Sequence, residues 1–220
     1  MKEKRVKNPD ESRQLCLHRQ YDEIEHMAPL VTIRTARLLL RPFQTTDAEA
    51  VHCLTGSRDV AAGTFLPHPM DRQAAQGWIT ERVKDQAAGT GATFAITLTA
   101  SGELIGSIGM ELVLAHEQGR LSYWLGRAYW NRGFGTEAVT ALVEYGFNSL
   151  RLHRIYAPHF HTNPASGRVL QKVGMTHEGR LREHYLRFGQ RIDVELYGMV
   201  REEFIARRQV NGGGTSPRES

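Results

Sequence analysis

Residues Asn131-Arg132-Gly133-Phe134-Gly135-Thr136 have the makings of an anion-binding loop. Two closely spaced glycines let the backbone take conformations closed to other residues and bare its N–H groups. Beyond them, apolar positions recur at Val139, Leu142, Val143, Gly146, Phe147 and Leu150, the spacing of a helix with one buried face. A helix beginning here adds partial positive charge at its N-terminus. The chemistry offered is capture of a phosphate, and a pyrophosphate suits it best. The plainer alternative is a strand-to-helix turn that uses glycine only for its geometry.

A second candidate is Thr162-Asn163-Pro164-Ala165-Ser166-Gly167-Arg168-Val169-Leu170-Gln171-Lys172-Val173-Gly174-Met175. Asn163 is a good N-cap and Pro164 suits the first helical position. Val169, Leu170 and Val173 give a short helix one buried stripe, and Gly174 is a natural left-handed stop. Ser166 offers a hydroxyl near the start of that helix, where it can also satisfy an unpaired helix N–H.

Three loop families compete for the glycine segment. A P-loop is excluded, because no Gly-Lys-Ser/Thr follows the glycines. A dinucleotide fingerprint is closer, since Gly133 to Ala138 fits Gly-x-Gly-x-x-Ala. That fold, however, wants the loop after its first strand and an acidic residue about twenty positions later. Here His153, Arg154, Ile155 and Tyr156 occupy those positions. The third pattern, Gln/Arg-x-x-Gly-x-Gly/Ala, is that of the GNAT acyl-CoA N-acetyltransferases, and the segment resembles it. The Asn163 to Met175 segment strengthens the resemblance, matching Asn-x-x-Ser and a short helix ending in Gly-Phe, with Met175 replacing the aromatic. The likeness spans roughly residues 30 to 205. Within it, Thr32 to Pro42, Tyr123-Trp124-Leu125, Tyr129 to Gly133 and Leu181 to Tyr197 resemble the RimJ/RimL-like branch, which acetylates N-termini of ribosomal proteins. Trp130 stands where the wider family has Gln or Arg, as is common in that branch.

The resemblance implies acetyl-CoA as co-substrate, no metal, and direct transfer to a primary amine. It places the Tyr123 backbone N–H against the thioester oxygen, with Trp124 beside it and Leu125 holding the pantetheine amides. Asn131, Arg132, Gly133, Phe134, Gly135 and Thr136 would bind the pyrophosphate, mainly through the main chain. Asn163 would flank the pantetheine arm, and Ser166 would protonate the departing thiolate. The catalytic residues are thus Ser166 and Tyr123, the rings of Tyr123 and Trp124 being read as strand packing. Cys16 and Cys53 lack any nucleophile–base arrangement, which disfavours an acetyl-enzyme. The family's usual carboxylate on the strand before the loop is replaced by Arg120, leaving Glu111, Glu183 and His184 as base candidates. An α-amine with pKa near ~8 needs less help than a lysine near ~10.4, so a protein N-terminus is the expected acceptor. A polyamine, amino acid or aminoglycoside is the alternative, and a non-catalytic CoA-binding module is a rival of another class. His153, His159 and His161 lack a completing ligand, and no metal site is expected.

These residues need elements to hold them. Thr46-Asp47-Ala48-Glu49 reads as a capping box opening a helix to about Ser57, and Asp71 starts another carrying Trp78, Ile79 and Val83. Phe94, Ile96 and Leu98 alternate as a strand, Ser101-Gly102 turns into Leu104 to Leu112, and Gln118-Gly119 turns into Leu121 to Leu125. Gly126 is expected to let that last strand splay from its neighbour. Arg151 to Ala157 is a further strand, and a closing hairpin turns at Gly189-Gln190. The order gives an α+β protein of GNAT fold, a mixed but mostly antiparallel sheet flanked by helices.

A chain of 220 residues, 40% hydrophobic, suffices for one domain. The expected division is a polar extension at 1–29, with weak helical content over 12–21, a catalytic domain at 30–206 and a disordered tail at 207–220. Two cysteines give no disulfide framework. No apolar run would span a bilayer and no signal peptide is visible, so a cytoplasmic protein is expected. Its net charge of +4 is dispersed, which speaks against nucleic-acid binding. A homodimer is compatible with this reading.

Overall fold

The structure, a computed structural model, describes residues 31–212. The expected helix over 12–21 and residues 213–220 lie outside the described residues. An eight-stranded sheet runs in the order β1-β2-β3-β4-β5-β6-β8-β7. Its strands are β1 (Ile33–Arg34), β2 (Leu38–Arg41), β3 (Gly91–Leu98), β4 (Leu104–Val113), β5 (Gln118–Leu125), β6 (Arg154–Phe160), β7 (Thr176–Arg187) and β8 (Gln190–Val200). All neighbours are antiparallel except β5 and β6. Helices α1 (Ala48–Thr55), α2 (Arg58–Ala62) and α3 (Arg72–Ala87) precede β3. Helix α4 (Phe134–Asn148) joins β5 to β6, α5 (Pro164–Val173) joins β6 to β7, and α6 (Arg201–Gly212) follows β8. Helix thus continues past position 206, through 207–212.

Alternation along the central strands serves two cores. Phe94 and Ile96 join the cluster containing Phe134, Val139, Leu142, Phe147, Leu170 and Phe204. Ala95, on the other face of β3, joins Phe43, Val51, Ile79 and Trp124. A sheet buried on both faces reads as continuous burial, and residues 94–97 are all buried.

The β5–β6 pair is the feature that makes a cleft. It pairs only at Gln118–Arg154, Gly119–Ile155 and Arg120–Tyr156. His161 donates its N–H to the Asp193 carbonyl on the β8 side, so by alternation the even-numbered residues of β6 turn their backbone groups toward β5. The next N–H owed to β5 would come from residue 158, which is proline and has none. The splay therefore begins after Arg120, well before Gly126, at the point where Pro158 withholds the next donor the pair would need.

Other local expectations also shift. Gln118 and Gly119 are strand residues; the turn before them is a 3-10 segment, Leu114–His116, closed by left-handed Glu117. Thr46 does not cap α1. Instead Asp47 accepts the Gln44 N–H at 2.8 Å and pairs with Arg41 at 2.7 Å. Asp71 caps α3 through the Ala74 N–H at 2.7 Å, though Val83 is exposed rather than core. The closing hairpin turns at Phe188-Gly189, both with positive φ, as a two-residue loop requires.

Candidate active site

Strand β5 exposes backbone groups along the splay. Gly126 donates its N–H to the Ile105 carbonyl on β4, and Trp124 and Ser122 share that parity. Tyr123 and Leu125 consequently face away from β4, toward the gap left by β6. The Leu125 carbonyl accepts from Trp130 Nε1 at 2.8 Å. Leu125 can still offer its N–H to a ligand there, and Trp130 gains a definite task in fixing the strand end.

The glycine loop follows. Asn131 and Gly133 have φ of 57° and 82°, and the first α4 hydrogen bond runs from the Glu137 N–H to the Gly133 carbonyl at 3.1 Å. The N–H groups of residues 134–136 are therefore the unpaired first turn of a 15-residue helix. A Cβ at Gly135 would stand 3.6 Å from Val169 Cγ2, 3.7 Å from Leu125 Cδ1 and 3.8 Å from Tyr123 Cε2. Glycine leaves that cradle open. The loop is braced from the first strands: Arg37 donates Nη1 to the Arg132 carbonyl at 3.0 Å and Nε to Glu137 at 2.7 Å. Thr35 adds a 2.6 Å bond to the same carboxylate.

Helix α5 supplies the opposite wall. Asn163 Oδ1 accepts the Ser166 N–H at 3.3 Å, as an N-cap should. Its Nδ2 donates to the Gly63 carbonyl at 3.2 Å, tying α5 to the segment after α2. Each end of the amide thereby holds one bond to the protein, and Asn163 both positions this wall and lines the cleft. Ser166 Oγ does not bond a helix N–H; it lies 2.8 Å from the Tyr123 hydroxyl. The ring of Tyr123 is thus more than strand packing. Burial pushes its hydroxyl up to about 12, while the Ser166 bond pulls weakly the other way.

These residues line one cleft of about 1270 Å³. At its other mouth, cross-strand partners Glu111 and Arg120 face each other at 3.3 Å, and Arg120 donates Nη2 to the Tyr185 hydroxyl at 3.1 Å. Phe65 packs on Tyr185, with ring centroids 4.6 Å apart. Of the three base candidates, Glu111 lines the cleft; Glu183 and His184 do not.

The structure brings together Tyr123, Trp124, Leu125, Asn131, Gly133, Phe134, Gly135, Thr136, Asn163 and Ser166 around the cleft, while Arg132 contributes its carbonyl to the bracing of the loop. Trp124 packs its buried ring into the second core. The sequence reading missed Arg37, Glu137, Gly63 and the Tyr123 hydroxyl, all acting through contacts between distant segments. His159 is buried against its neighbour's carbonyl and His161 is exposed. Among the described residues no group of His, Cys, Asp or Glu is arranged to hold a metal, and no helix is long and apolar enough to cross a membrane.

The residues present fit a pyrophosphate-bearing thioester cofactor: free helix N–H groups, a cradle that a Cβ would fill, and an unpaired strand edge leading to a hydroxyl pair. Comparison with known proteins agrees. Residues 37–176 match the acetyltransferase (GNAT) domain family. The chain is 31% identical over 176 residues to the uncharacterized N-acetyltransferase p20 of Bacillus licheniformis, covering 79% of this chain and 98% of that one. It is 27% identical over 190 residues to the ribosomal protein uS5-alanine N-acetyltransferase of Escherichia coli, covering 82% and 96%. The crystal structure of a GNAT-family acetyltransferase from Bacillus anthracis superposes with a TM-score of 0.71 at 26% identity, covering 79% of this chain and 100% of that one.

Proposed function

The chain belongs to the GNAT acetyltransferase family, and we propose that it transfers acetyl directly from acetyl-CoA to an α-amine at a protein N-terminus. Bound acetyl-CoA supplies the acetyl group as a thioester. Residues 134–136 offer N–H groups to its pyrophosphate, and the Tyr123 and Leu125 N–H groups line the path inward. The Tyr123 N–H is the donor available to a carbonyl oxygen that becomes anionic. Ser166 donates its hydroxyl proton to the departing sulfur, and the Tyr123 hydroxyl donates to Ser166 Oγ behind it. With its pKa pushed to about 12, Tyr123 stays protonated at neutral pH and serves as that donor.

The observation that carries the reading is the 2.8 Å Tyr123–Ser166 contact at the inner end of a path that starts at a free helix N-terminus. At the other mouth Glu111 is the carboxylate available to take the amine's proton. It is paired with Arg120, and an α-amine, a fraction of which is neutral near pH ~8, asks least of it. Similarity to an acetyltransferase named for an alanine of a ribosomal protein supports a protein acceptor. The reading places the enzyme in the cytoplasm, with residues 30–206 and the remainder of α6 as its catalytic unit.

The test is thiol release from acetyl-CoA with an alanine-starting peptide, the same peptide blocked at its N-terminus but carrying a lysine, and spermidine. Release with the free N-terminus alone is expected. Preference for spermidine would reassign the acceptor to small amines, and bound CoA with no release would make the protein a non-catalytic CoA-binding module.

A further inference from the structure

Helix α5 turns one face to the cleft, and that face carries two cations. Ala165, Arg168, Val169 and Lys172 all line it, at the spacing that stacks side chains along a helix. Val169 is the member nearest the anion loop, 3.6 Å from where a Gly135 Cβ would stand. Arg168 and Lys172 flank Val169, so they stand on the wall opposite the free N–H groups of residues 134–136. Both are exposed, and among the described residues neither side chain has an ion pair or hydrogen bond.

Among the described residues near the loop, the other two cations have side-chain contacts of their own. Arg37 is committed to Glu137 and to the Arg132 carbonyl, and the Arg132 guanidinium lies over the Phe134 ring at 5.1 Å. The acids that line the cleft are Asp59, Asp85 and Glu111. Each already has an arginine partner, Arg127, Arg82 and Arg120 respectively. The α5 cations therefore present uncompensated charge to whatever enters. A helix N-terminus carries only about half a charge, enough for a pyrophosphate cradled by N–H groups. A phosphomonoester carries close to two negative charges and calls for full cations, with arginine able to grip two of its oxygens.

We infer that Arg168 and Lys172 read a phosphomonoester on the cofactor, the 3′-phosphate of CoA, and make the protein discriminate CoA from its dephospho form. The inference rests on the cleft being a CoA site. It adds a specificity element outside the glycine loop, built on the helix that also carries Ser166.

The experiment is calorimetric titration of the wild type, Arg168→Ala, Lys172→Ala and the double variant with CoA and with 3′-dephospho-CoA. Both substitutions lie on an exposed face, and matched thermal melts establish that each variant is folded. The wild type is expected to bind CoA roughly tenfold or more tightly than dephospho-CoA. In the double variant that ratio should fall to about one, with dephospho-CoA affinity unchanged. Equal wild-type affinities would overturn the inference. So would an equal weakening of both ligands in the variants, which would assign the cations to the pyrophosphate. If neither ligand bound the wild type, the cofactor reading itself would fall and this inference with it.

Discussion

The Tyr123 hydroxyl and Ser166 Oγ lie 2.8 Å apart, joining β5 to the first turn of α5 across the gap between β5 and β6. One residue is held by its strand, the other by the Asn163 cap, so the pair's spacing is set by the fold and not by a flexible loop. A hydroxyl pair fixed in this way can pass a proton without reorganising.

Ser166→Ala should lower turnover by roughly 100-fold while leaving CoA affinity nearly unchanged, because a proton donor matters in the transition state. Tyr123→Phe should lower turnover less. The double variant should be little worse than Ser166→Ala alone, since groups acting as a unit are not additive. Single-turnover rates with calorimetric CoA affinities check this, and additive losses would separate the two roles.

Burial raises the Tyr123 pKa from 10 to about 12. A group whose folded pKa lies above its unfolded value contributes stability that is whole below the unfolded pKa and lost as pH rises through the folded one. The wild type should therefore lose stability between about pH 10 and pH 12 more steeply than Tyr123→Phe. Urea midpoints across that window test it; parallel curves would mean that the ring is solvated.

For Glu137, burial favours the neutral carboxyl, but the donors from Thr35 and Arg37 outweigh it and hold the pKa below the ordinary range. Such a group contributes stability above its unfolded pKa and loses it as pH falls through the folded value. Glu137→Gln should be less stable than the wild type at pH 7 by about 2 kcal/mol, with the gap closing below pH ~4. A gap that persists in acid would assign the effect to packing.

Gly133 has φ of 82°, and a Cβ there would meet Arg37 Nη2 at 3.2 Å. Gly133→Val should fold, with a loss of roughly 1–2 kcal/mol for a left-handed non-glycine residue, yet fail to bind CoA. Calorimetry on the folded variant decides this, and wild-type affinity would move the phosphate site elsewhere.

What the sequence disclosed and what it hid follow from range. The glycine loop, the Asn163 cap, the Gly174 stop and the alternation of Phe94 and Ile96 are local patterns, and each stands where expected. The Tyr123–Ser166 contact joins residues 43 positions apart, and the Asn163–Gly63 bond spans 100; no local periodicity encodes such pairs. Thr35 and Arg37 gave no sign of bracing Glu137, about 100 residues away. Pro158 was legible in principle, since a proline within a strand marks a place where pairing ends. Reading it required knowing that β6 neighbours β5. Gln118-Gly119 misled because glycine signals a turn, whereas here the close approach of Met110 and Leu152 to Gly119 is what excludes a side chain.

The most direct test is to mix the protein with acetyl-CoA and an alanine-starting peptide, then weigh peptide and protein after partial reaction. Acetyl on the peptide N-terminus, matched by released CoA thiol and with no acetyl on the protein, is the predicted result. Acetyl on the protein in a form that the peptide consumes would contradict direct transfer, and an unmodified peptide beside tightly bound CoA would contradict catalysis altogether.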